Sequence, residues 1–309
     1  MDSGPLCRRV QASPAHPAQG PAKWIWPALL VLLAFNAGCP RPPQAIEPRD
    51  AREALSRVND NLARIDQPLQ YKALASFRFR DADGRDRRFL MHEASLVFAP
   101  VRDLLFDVRS LVGVVAQFGS NDERYWVWIE PEVRKLWYGN WDRLEDGRRC
   151  RLPLPPDDLL DVLLLRPLPA VLDGGLRPLL RKVDGDHRLL FVRLGADGQP
   201  NGLREILLDR CEPYQPREII DRLPDGQVQM HAYLARYRRV GDDGPLTPRK
   251  YIVYWPLDKA EMRLDVTRAR FRPDLPPEVF EFPAEWQGDM ERVDADARPG
   301  SARKDVIQP

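Results

Sequence analysis

The chain has 309 residues and nearly balanced charge, with 47 Lys and Arg against 46 Asp and Glu. This balance leaves no strongly basic surface, which argues against nucleic acid as a partner. The 31 prolines, together with Trp and Tyr in strand-like runs, favour a single β-rich domain.

The N-terminal residues have the layout of an export signal. Fifteen largely apolar residues, 24–38, follow Arg8, Arg9 and Lys23 and end in small side chains before Cys39. As a helix they would span about 22 Å, which is short of the roughly 30 Å hydrocarbon core of a bilayer. We therefore predict a removable signal and not a permanent membrane span.

The end of this segment, Ala37-Gly38-Cys39, resembles the signal of bacterial lipoproteins. The resemblance implies cleavage before Cys39 and acylation of that residue, including palmitate, so that the mature protein stays on a membrane surface. Pro40 stands where the inner-membrane retention signal often has Asp, which favours the periplasmic side of the outer membrane. Asn36 replaces the usual Leu, and the alternative is an unmodified cysteine in a membrane anchor.

The composition divides the chain into four predicted segments. Three Lys or Arg and one Asp precede Cys39, so the remainder carries a formal net charge of −1. The predicted segments are a lipoprotein signal peptide at 1–38, a lipidated proline-rich tether at 39–49, a single domain at 50–288 and a disordered tail at 289–309.

Two cysteines remain inside the predicted domain, Cys150 and Cys211. An oxidising compartment permits them to form a disulfide. Two buried thiols are the alternative, and the spacing alone does not choose between them.

The predicted domain begins with one helix and continues with many strands. Apolar residues follow a 3, 4, 7 spacing from Asp50, a suitable N-cap, and Pro68 marks the stop. Beyond it, alternating runs separated by Gly, Asp and Pro turns predict an antiparallel sheet with one wet face. The predicted strands are 73–79, 90–98, 104–108, 114–118, 125–129, 133–138, 188–194, 203–209, 213–220, 228–237, 250–255 and 262–270.

Two segments depart from this simple alternation. Tyr125–Ile129 is apolar on both faces, which predicts either a core strand or the lining of a site for an apolar ligand. The segment 152–157, with three prolines, opens a leucine-crowded run that includes Leu159 and Leu164. This run predicts a helix that is buried or lies over a groove.

The order of elements resembles the carriers and receptors of outer-membrane lipoprotein localisation (Lol). The resemblance rests on the first helix, the strands, the leucine-rich helix introduced by 152–156, and the Phe and Pro segment 275–283. It implies a mainly β fold, an antiparallel, unclosed half β-barrel of about eleven or twelve strands whose concave face is covered by helices. The cavity between them would hold acyl chains, and Cys39 favours an anchored receptor over a soluble carrier.

The resemblance and the aromatic pattern together select candidate site residues. A receptor of this kind has an exposed apolar loop that touches the membrane, and Leu111 and Val112, turned by Gly113, are the candidates. The alternative for these residues is a buried pair of strands. The candidate cavity residues are Phe77, Phe79, Leu96, Phe98, Phe106, Trp126, Trp128, Leu160 and Leu163.

Catalytic motifs are missing from the sequence. His92, His187 and His231 are isolated from one another, and no motif for a metal, a nucleophile or a nucleotide is present. We therefore predict no enzyme, no cofactor and no metal, unless the histidines meet a carboxylate or hydroxyl in a pocket. The predicted function is a lipid-anchored binding protein for acyl chains or the lipid moiety of a lipoprotein client. The alternative is a structural or regulatory envelope lipoprotein that binds a protein partner.

Overall fold

The computed structural model describes residues 47–80, 84–130, 134–142, 156–195, 197–210, 212–282 and 291–295. All of them belong to the compact unit that spans Ala45–Pro309. Within these ranges the chain forms a large sheet of fourteen strands and a ribbon of two.

The helical elements are few and short. Two α-helices and two 3₁₀ turns are described: α1 (Ala51–Leu62), α2 (Pro156–Val162), the turn Asp173–Gly175 and the turn Pro277–Phe280.

The strands make up most of the described chain. They are β1 (Leu69–Arg80), β2 (Asp86–Ala99), β3 (Asp103–Ser110), β4 (Gly113–Ser120), β5 (Arg124–Ile129), β6 (Lys135–Asn140), β7 (Leu179–Val183), β8 (Asp186–Leu194), β9 (Pro200–Leu208), β10 (Pro216–Arg222), β11 (Val228–Ala235), β12 (Arg238–Arg239), β13 (Leu246–Thr247), β14 (Lys250–Trp255), β15 (Ala260–Phe271) and β16 (Glu291–Asp294).

The large sheet has the order β16-β6-β5-β4-β3-β2-β1-β15-β14-β11-β10-β9-β8-β7. Every pair is antiparallel except β16 with β6, which is parallel. Strands β16 and β7 are its two edges among the described residues, so the sheet is open. The predicted fold class, a mainly β, unclosed half-barrel, is confirmed.

Helix α1 forms as its sequence predicts. The Asp50 carboxylate accepts a hydrogen bond from the Glu53 amide at 2.8 Å, and Glu53 in turn accepts one from the Arg49 amide at 2.9 Å. These bonds satisfy amides that a helix start leaves without partners. The opposite side of α1 buries Leu55 and Val58 against the sheet.

The face of the sheet that carries α1 and α2 is called the inner face below, and it holds the main hydrophobic core. On β1, Tyr71, Ala73, Ala75 and Phe77 all point to it, as strand alternation requires. The register shifts between Lys72 and Ala73 and between Ala75 and Phe77, and bulges of this kind bend long strands.

The strand count departs from the predicted eleven or twelve. The additional strands are β7, β12, β13 and β16, which have two to five residues and show no clear alternation. Strand β16 lies within the tail 289–309, so the prediction of disorder is wrong at Glu291–Asp294, which pair with β6. A lone short segment carries little local signal, and its partner strand supplies the hydrogen bonds that hold it.

Candidate functional site

An apolar pocket opens at one end of the inner face, where β1 ends and β2 begins. The rings of Phe77, Phe106 and Phe118 form a triangle with centroids 5.7–6.1 Å apart, and Phe79 stacks on Phe89 at 6.1 Å. This pocket is called the mouth, and its lining is Phe77, Arg78, Phe79, Phe89, Val108, Ala116, Phe118, Ile129, Ala260 and Glu261.

The mouth is narrow in this structure. It offers about 20 Å³ to the centre of a water molecule, which is room for about one water. Behind it the inner face is packed with side chains, and the leucines of α2 lie among them. A ligand longer than the mouth therefore requires movement of the covering helix.

Helix α2 and the residues after it are buried in the inner face through their apolar side chains. Leu159, Leu160, Val162, Leu163 and Leu164 are all buried. The prediction of a buried leucine-rich helix is confirmed. The same core includes a row of small side chains on β1 and β2: Ala73, Ala75 and Ala94.

Buried ion pairs connect α2 to β9 and β10. Arg204 donates two hydrogen bonds of 2.7 Å to the Asp221 carboxylate and a third, short bond to Asp161 on α2. Arg166 adds a 2.6 Å bond to Asp161. The side chains of Arg204 and Asp221 are only 14% and 2% exposed, so water does little to weaken the attraction. This cluster is called the α2 clamp.

The charges of the clamp shift the pKa values of the α2 carboxyls in opposite directions. Although burial opposes it, Arg204 and Arg166 hold the pKa of Asp161 below its ordinary value. Burial, reinforced by the charge of Asp221, raises the pKa of Asp158 to about 7. Asp158 is therefore part-protonated at neutral pH, while Asp161 stays ionised.

The structure brings most of the predicted cavity residues to the inner face. Phe77 and Phe79 line the mouth, and Phe106 contacts Phe77. Deeper in the same core lie Leu96, Phe98, Leu160 and Leu163.

Trp126 and Trp128 do not line this cavity, and here the prediction is wrong. They alternate along β5 with Tyr125, Val127 and Ile129, which occupy the inner face. The two tryptophans therefore point to the opposite, outer face. The two-faced apolar pattern of β5 thus marks a strand covered on both sides.

The covering on the outer face comes from a distant segment. Phe282 meets Trp126 edge to face, with centroids 5.4 Å apart and planes at 90°. The indole Nε1 of Trp126 donates to Gln117 at 3.1 Å. Gly119 makes room for the ring, because a Cβ there would lie 2.1 Å from indole carbons of Trp126.

The turn between β3 and β4 is exposed. Leu111 and Val112 are fully open to solvent, and Gly113 has a φ of +134°, which favours glycine. The alternative of a buried strand pair is therefore wrong. Because β3 runs in the same direction as β1, this turn lies at the mouth end of the sheet.

The predicted cysteine sites lie outside the described residues. The structure describes none of the three cysteines Cys39, Cys150 and Cys211. Acylation of Cys39 and pairing of the other two cysteines stay predictions.

The three histidines lie apart in the structure. His231 Nε2 is 3.0 Å from the Glu218 carboxylate on the outer face, and its ring lies 4.2 Å from that of Tyr233. His187 is buried, and its Nδ1 has no hydrogen-bond partner. His92 lies beside Phe89, with ring centroids 6.0 Å apart. No two of them share a pocket in the part of the chain that is described.

Two further findings concern the described ranges only. They hold no group of three or more His, Cys, Asp or Glu side chains that could bind a metal ion. Their helices are all too short or too polar to cross a bilayer.

Solved structures with similar architecture include members of the LolA superfamily. A LolA superfamily protein from Nitrosomonas europaea has 13% identity and a TM-score of 0.46, covering 75% of this chain and 98% of that chain. A putative outer membrane lipoprotein-sorting protein domain from Vibrio parahaemolyticus has 12% identity and a TM-score of 0.46, covering 74% and 97%. A DUF1329 family protein from Desulfovibrio piger has 14% identity and a TM-score of 0.44, covering 74% and 97%.

The chain resembles these proteins, as the order of its elements predicts. No protein-family model matches the sequence, and no curated protein matches it. At identities of 12–14% the likeness says nothing about a ligand. What this chain binds is therefore a question for its own residues.

Sequence reasoning missed several residues of the site. Phe89, Phe118 and Ile129 line the mouth, and their alternation within strands was the available signal. Arg204 and Asp221 carried no such signal, because each reads locally as a polar residue on a wet face. The three-residue spacing of Asp158 and Asp161 places both on one side of α2, which could have indicated a charged contact.

Proposed function

We propose that the chain is a lipid-anchored, periplasm-facing binding protein that holds an acyl chain, or the lipid moiety of a lipoprotein, on its inner face. The mouth is the observation that carries this proposal. It opens the hydrophobic core to solvent through four phenylalanine rings and four aliphatic side chains at one end of the sheet. The protein forms and breaks no covalent bond in this role.

Space for the acyl chain arises from a shift of α2. Its leucines belong to the same core as Ala73, Ala75 and Ala94, so moving them frees volume next to a strip of the sheet without large side chains. The acyl chain then replaces the leucines against the sheet. Exposing the leucines loses about 25 cal/mol per Å² of apolar surface, and burying the acyl chain regains about the same amount. Because the two terms nearly cancel, binding stays reversible.

The α2 clamp directs this movement. It fastens α2 to β9 and β10 through Arg204, whereas Leu159 and Leu160 of α2 make apolar contacts in the core. Ion pairs need good geometry, while apolar contacts are non-directional. The acyl chain therefore competes with these leucines in the core behind the mouth.

Anchoring and membrane contact belong to the same proposal. Acylation at Cys39 would hold the domain at the outer membrane, and the tether 39–49 would give it reach. Leu111 and Val112 lie at the mouth end, where they would enter the bilayer surface beside the departing lipid.

A pair of aromatic substitutions tests the ligand site. Phe79 lines the mouth and is half-buried, while Tyr233 is a partly exposed aromatic on the outer face. We expect Phe79→Ser to weaken binding of a fluorescent fatty acid about fivefold, since it removes roughly 1 kcal/mol of apolar contact. Tyr233→Ser serves as the matched control with unchanged affinity. Equal affinities for both variants would show that the mouth is not the site.

Two measurements test the anchor and the turn. Mass spectrometry of the mature N-terminus should show an acylated Cys39, and an intact Met1 would overturn the lipoprotein assignment.

The variant Leu111→Ser with Val112→Ser should reduce cosedimentation of the delipidated domain with vesicles. Unchanged cosedimentation would remove the turn from the proposal.

A second function is favoured by the packed state of the inner face. A core without room for a ligand suits a structural or regulatory envelope lipoprotein that binds a protein partner. If the protein purified from the envelope carries no lipid and binds no fatty acid, but retains a specific partner, this second function replaces the first.

A further inference from the structure

A cluster of buried hydrogen-bond donors lies at the end of the inner face opposite the mouth. Tyr71 near the start of β1 and Tyr251 of β14 are fully buried, and Thr247 of β13 is 3% exposed. Arg249, between β13 and β14, faces both tyrosines. Because β14 runs in the same direction as β1, all four residues lie far from the end where β1 reaches the mouth. We call them the donor cluster.

Several atoms of the donor cluster have no partner. Two guanidinium nitrogens of Arg249, Nε and Nη1, are buried without any hydrogen bond. The hydroxyls of Tyr71 and Thr247 are buried facing each other, and Tyr71 also faces Tyr251, but neither forms a hydrogen bond of good geometry. Arg249 Nη2 reaches the Arg239 carbonyl at 3.5 Å, and Tyr251 Oη reaches the Leu163 carbonyl at 3.4 Å. Folded proteins seldom leave buried donors unpaired, so their concentration here indicates a bound group that is able to accept hydrogen bonds.

The charge of the cluster indicates what kind of group this is. Burial lowers the pKa of Arg249. The nearby Tyr71 and Tyr251 partly offset this shift, and the charge of Arg238 lowers the pKa of Arg249 further. Burial also raises the pKa of both tyrosines, so their hydroxyls stay protonated. No Asp or Glu of the described residues forms an ion pair with the guanidinium. A partly buried cation without a counter-charge is best satisfied by an anion.

The donor cluster and the mouth lie on one track of the inner face. On the inner face of β1 the side chains between Tyr71 and Phe77 are Ala73 and Ala75, which belong to the same core as the leucines of α2. The six residue steps from Tyr71 to Phe77 span about 20 Å of strand. Leu163, just after α2, accepts from Tyr251 of the cluster through its carbonyl, so the same shift of α2 frees this hydroxyl.

We propose that the ligand is an amphiphile with one anionic head group, a carboxylate or phosphate, bound by Arg249, Tyr71 and Thr247 while its acyl tail lies along the track toward Phe77. This rests on the proposed function and narrows it, because an acyl chain without a charged head would leave the donors unpaired. Fatty acids and lipid phosphates both supply such a head group. The head enters where Arg249 Nη2 meets the exposed Arg239 carbonyl.

The test compares ligands that share a chain and differ in the head group. Oleate and oleyl alcohol are titrated into the delipidated full mature protein at pH 7.5. A charge-assisted hydrogen-bond pair predicts about tenfold or greater preference for oleate. Arg249→Met should bring oleate to the affinity of oleyl alcohol, while leaving the alcohol unchanged. The control is Arg236→Met, an exposed arginine near the same end of the sheet, which should retain the preference.

Further variants keep the test decisive if Arg249→Met fails to fold. Tyr71→Phe removes one hydroxyl, and Arg249→Lys keeps the charge but loses the planar donor pair; each should reduce the preference several-fold. Equal binding of oleate and oleyl alcohol by the wild type would overturn this inference and leave the proposed function standing. Binding of neither ligand would end both.

A second comparison separates the two sources of the head group. Dodecyl phosphate and laurate have the same chain length and are measured in the same way. Tighter binding of the phosphate identifies a phospholipid-like ligand, and tighter binding of laurate identifies a fatty acid. If Arg249→Met changes neither affinity, the donor cluster holds internal water instead, and the inference is wrong.

Discussion

Removal of Arg204 is the sharpest test of the α2 clamp. The side chain has three hydrogen bonds to Asp221 and Asp161, and both carboxylates are almost withdrawn from water. Arg204→Met fills much of the same space but leaves Asp221 uncompensated and Asp161 with Arg166 alone. Breaking a buried pair in this way costs about 3–5 kcal/mol. We expect the free energy of unfolding at pH 7 to fall by that amount.

Urea unfolding followed by tryptophan fluorescence provides the measurement. The matched control is Arg210→Met, which removes an exposed pair with Asp186 on the same half of the sheet and should leave the midpoint unchanged. The loss in Arg204→Met should shrink at pH 5, because the stranded carboxylates can then take up protons. A change in the free energy of unfolding below about 1 kcal/mol at pH 7 would refute a stabilising role for the clamp.

Two other predictions follow from Asp158 and from the outer face. The pKa of Asp158 is raised from 3.8 to about 7, so its protonated form is favoured in the folded state. The free energy of unfolding of the wild type should therefore fall as the pH rises from 3.8 to about 7, by at most about 4 kcal/mol. Asp158→Asn should flatten this fall between urea midpoints measured at pH 5 and pH 8, and an unchanged slope would contradict the assignment. Gly119→Ala should displace the Trp126 ring, shift tryptophan emission to the red and cost about 1–3 kcal/mol, whereas unshifted emission would show that the ring tolerates the methyl group.

Local patterns in the sequence determined the class of the fold. Alternation in segments such as 73–79 identifies strands, because a strand exposes every second side chain to each face. Asp50 and Glu53 start α1 through bonds within four residues, which the sequence alone specifies. The leucines of α2 predicted burial, because so apolar a surface has no stable place in water.

The candidate site depended on both levels. Phe77 and Phe79 were selected from alternation, and the structure places both at the mouth. Trp126 and Trp128 were selected because Tyr125–Ile129 is apolar on both faces, but they lie on the outer face. A strand that is apolar on both sides does not reveal which side is concave. The ring contact with Phe282 covers the tryptophan on the outer face, and Phe282 is more than 150 positions away in the chain.

Only the tertiary structure decided where the polar residues act. Arg204, Asp221 and Asp161 come from two strands and a helix, and each is unremarkable in its own segment. Tyr71 and Arg249 lie far apart in the sequence. They are close in space because β1 and β14 both pair with β15. Periodicity reports which face a side chain occupies. Contact between distant charges depends on strand order and register, and these are properties of the assembled sheet.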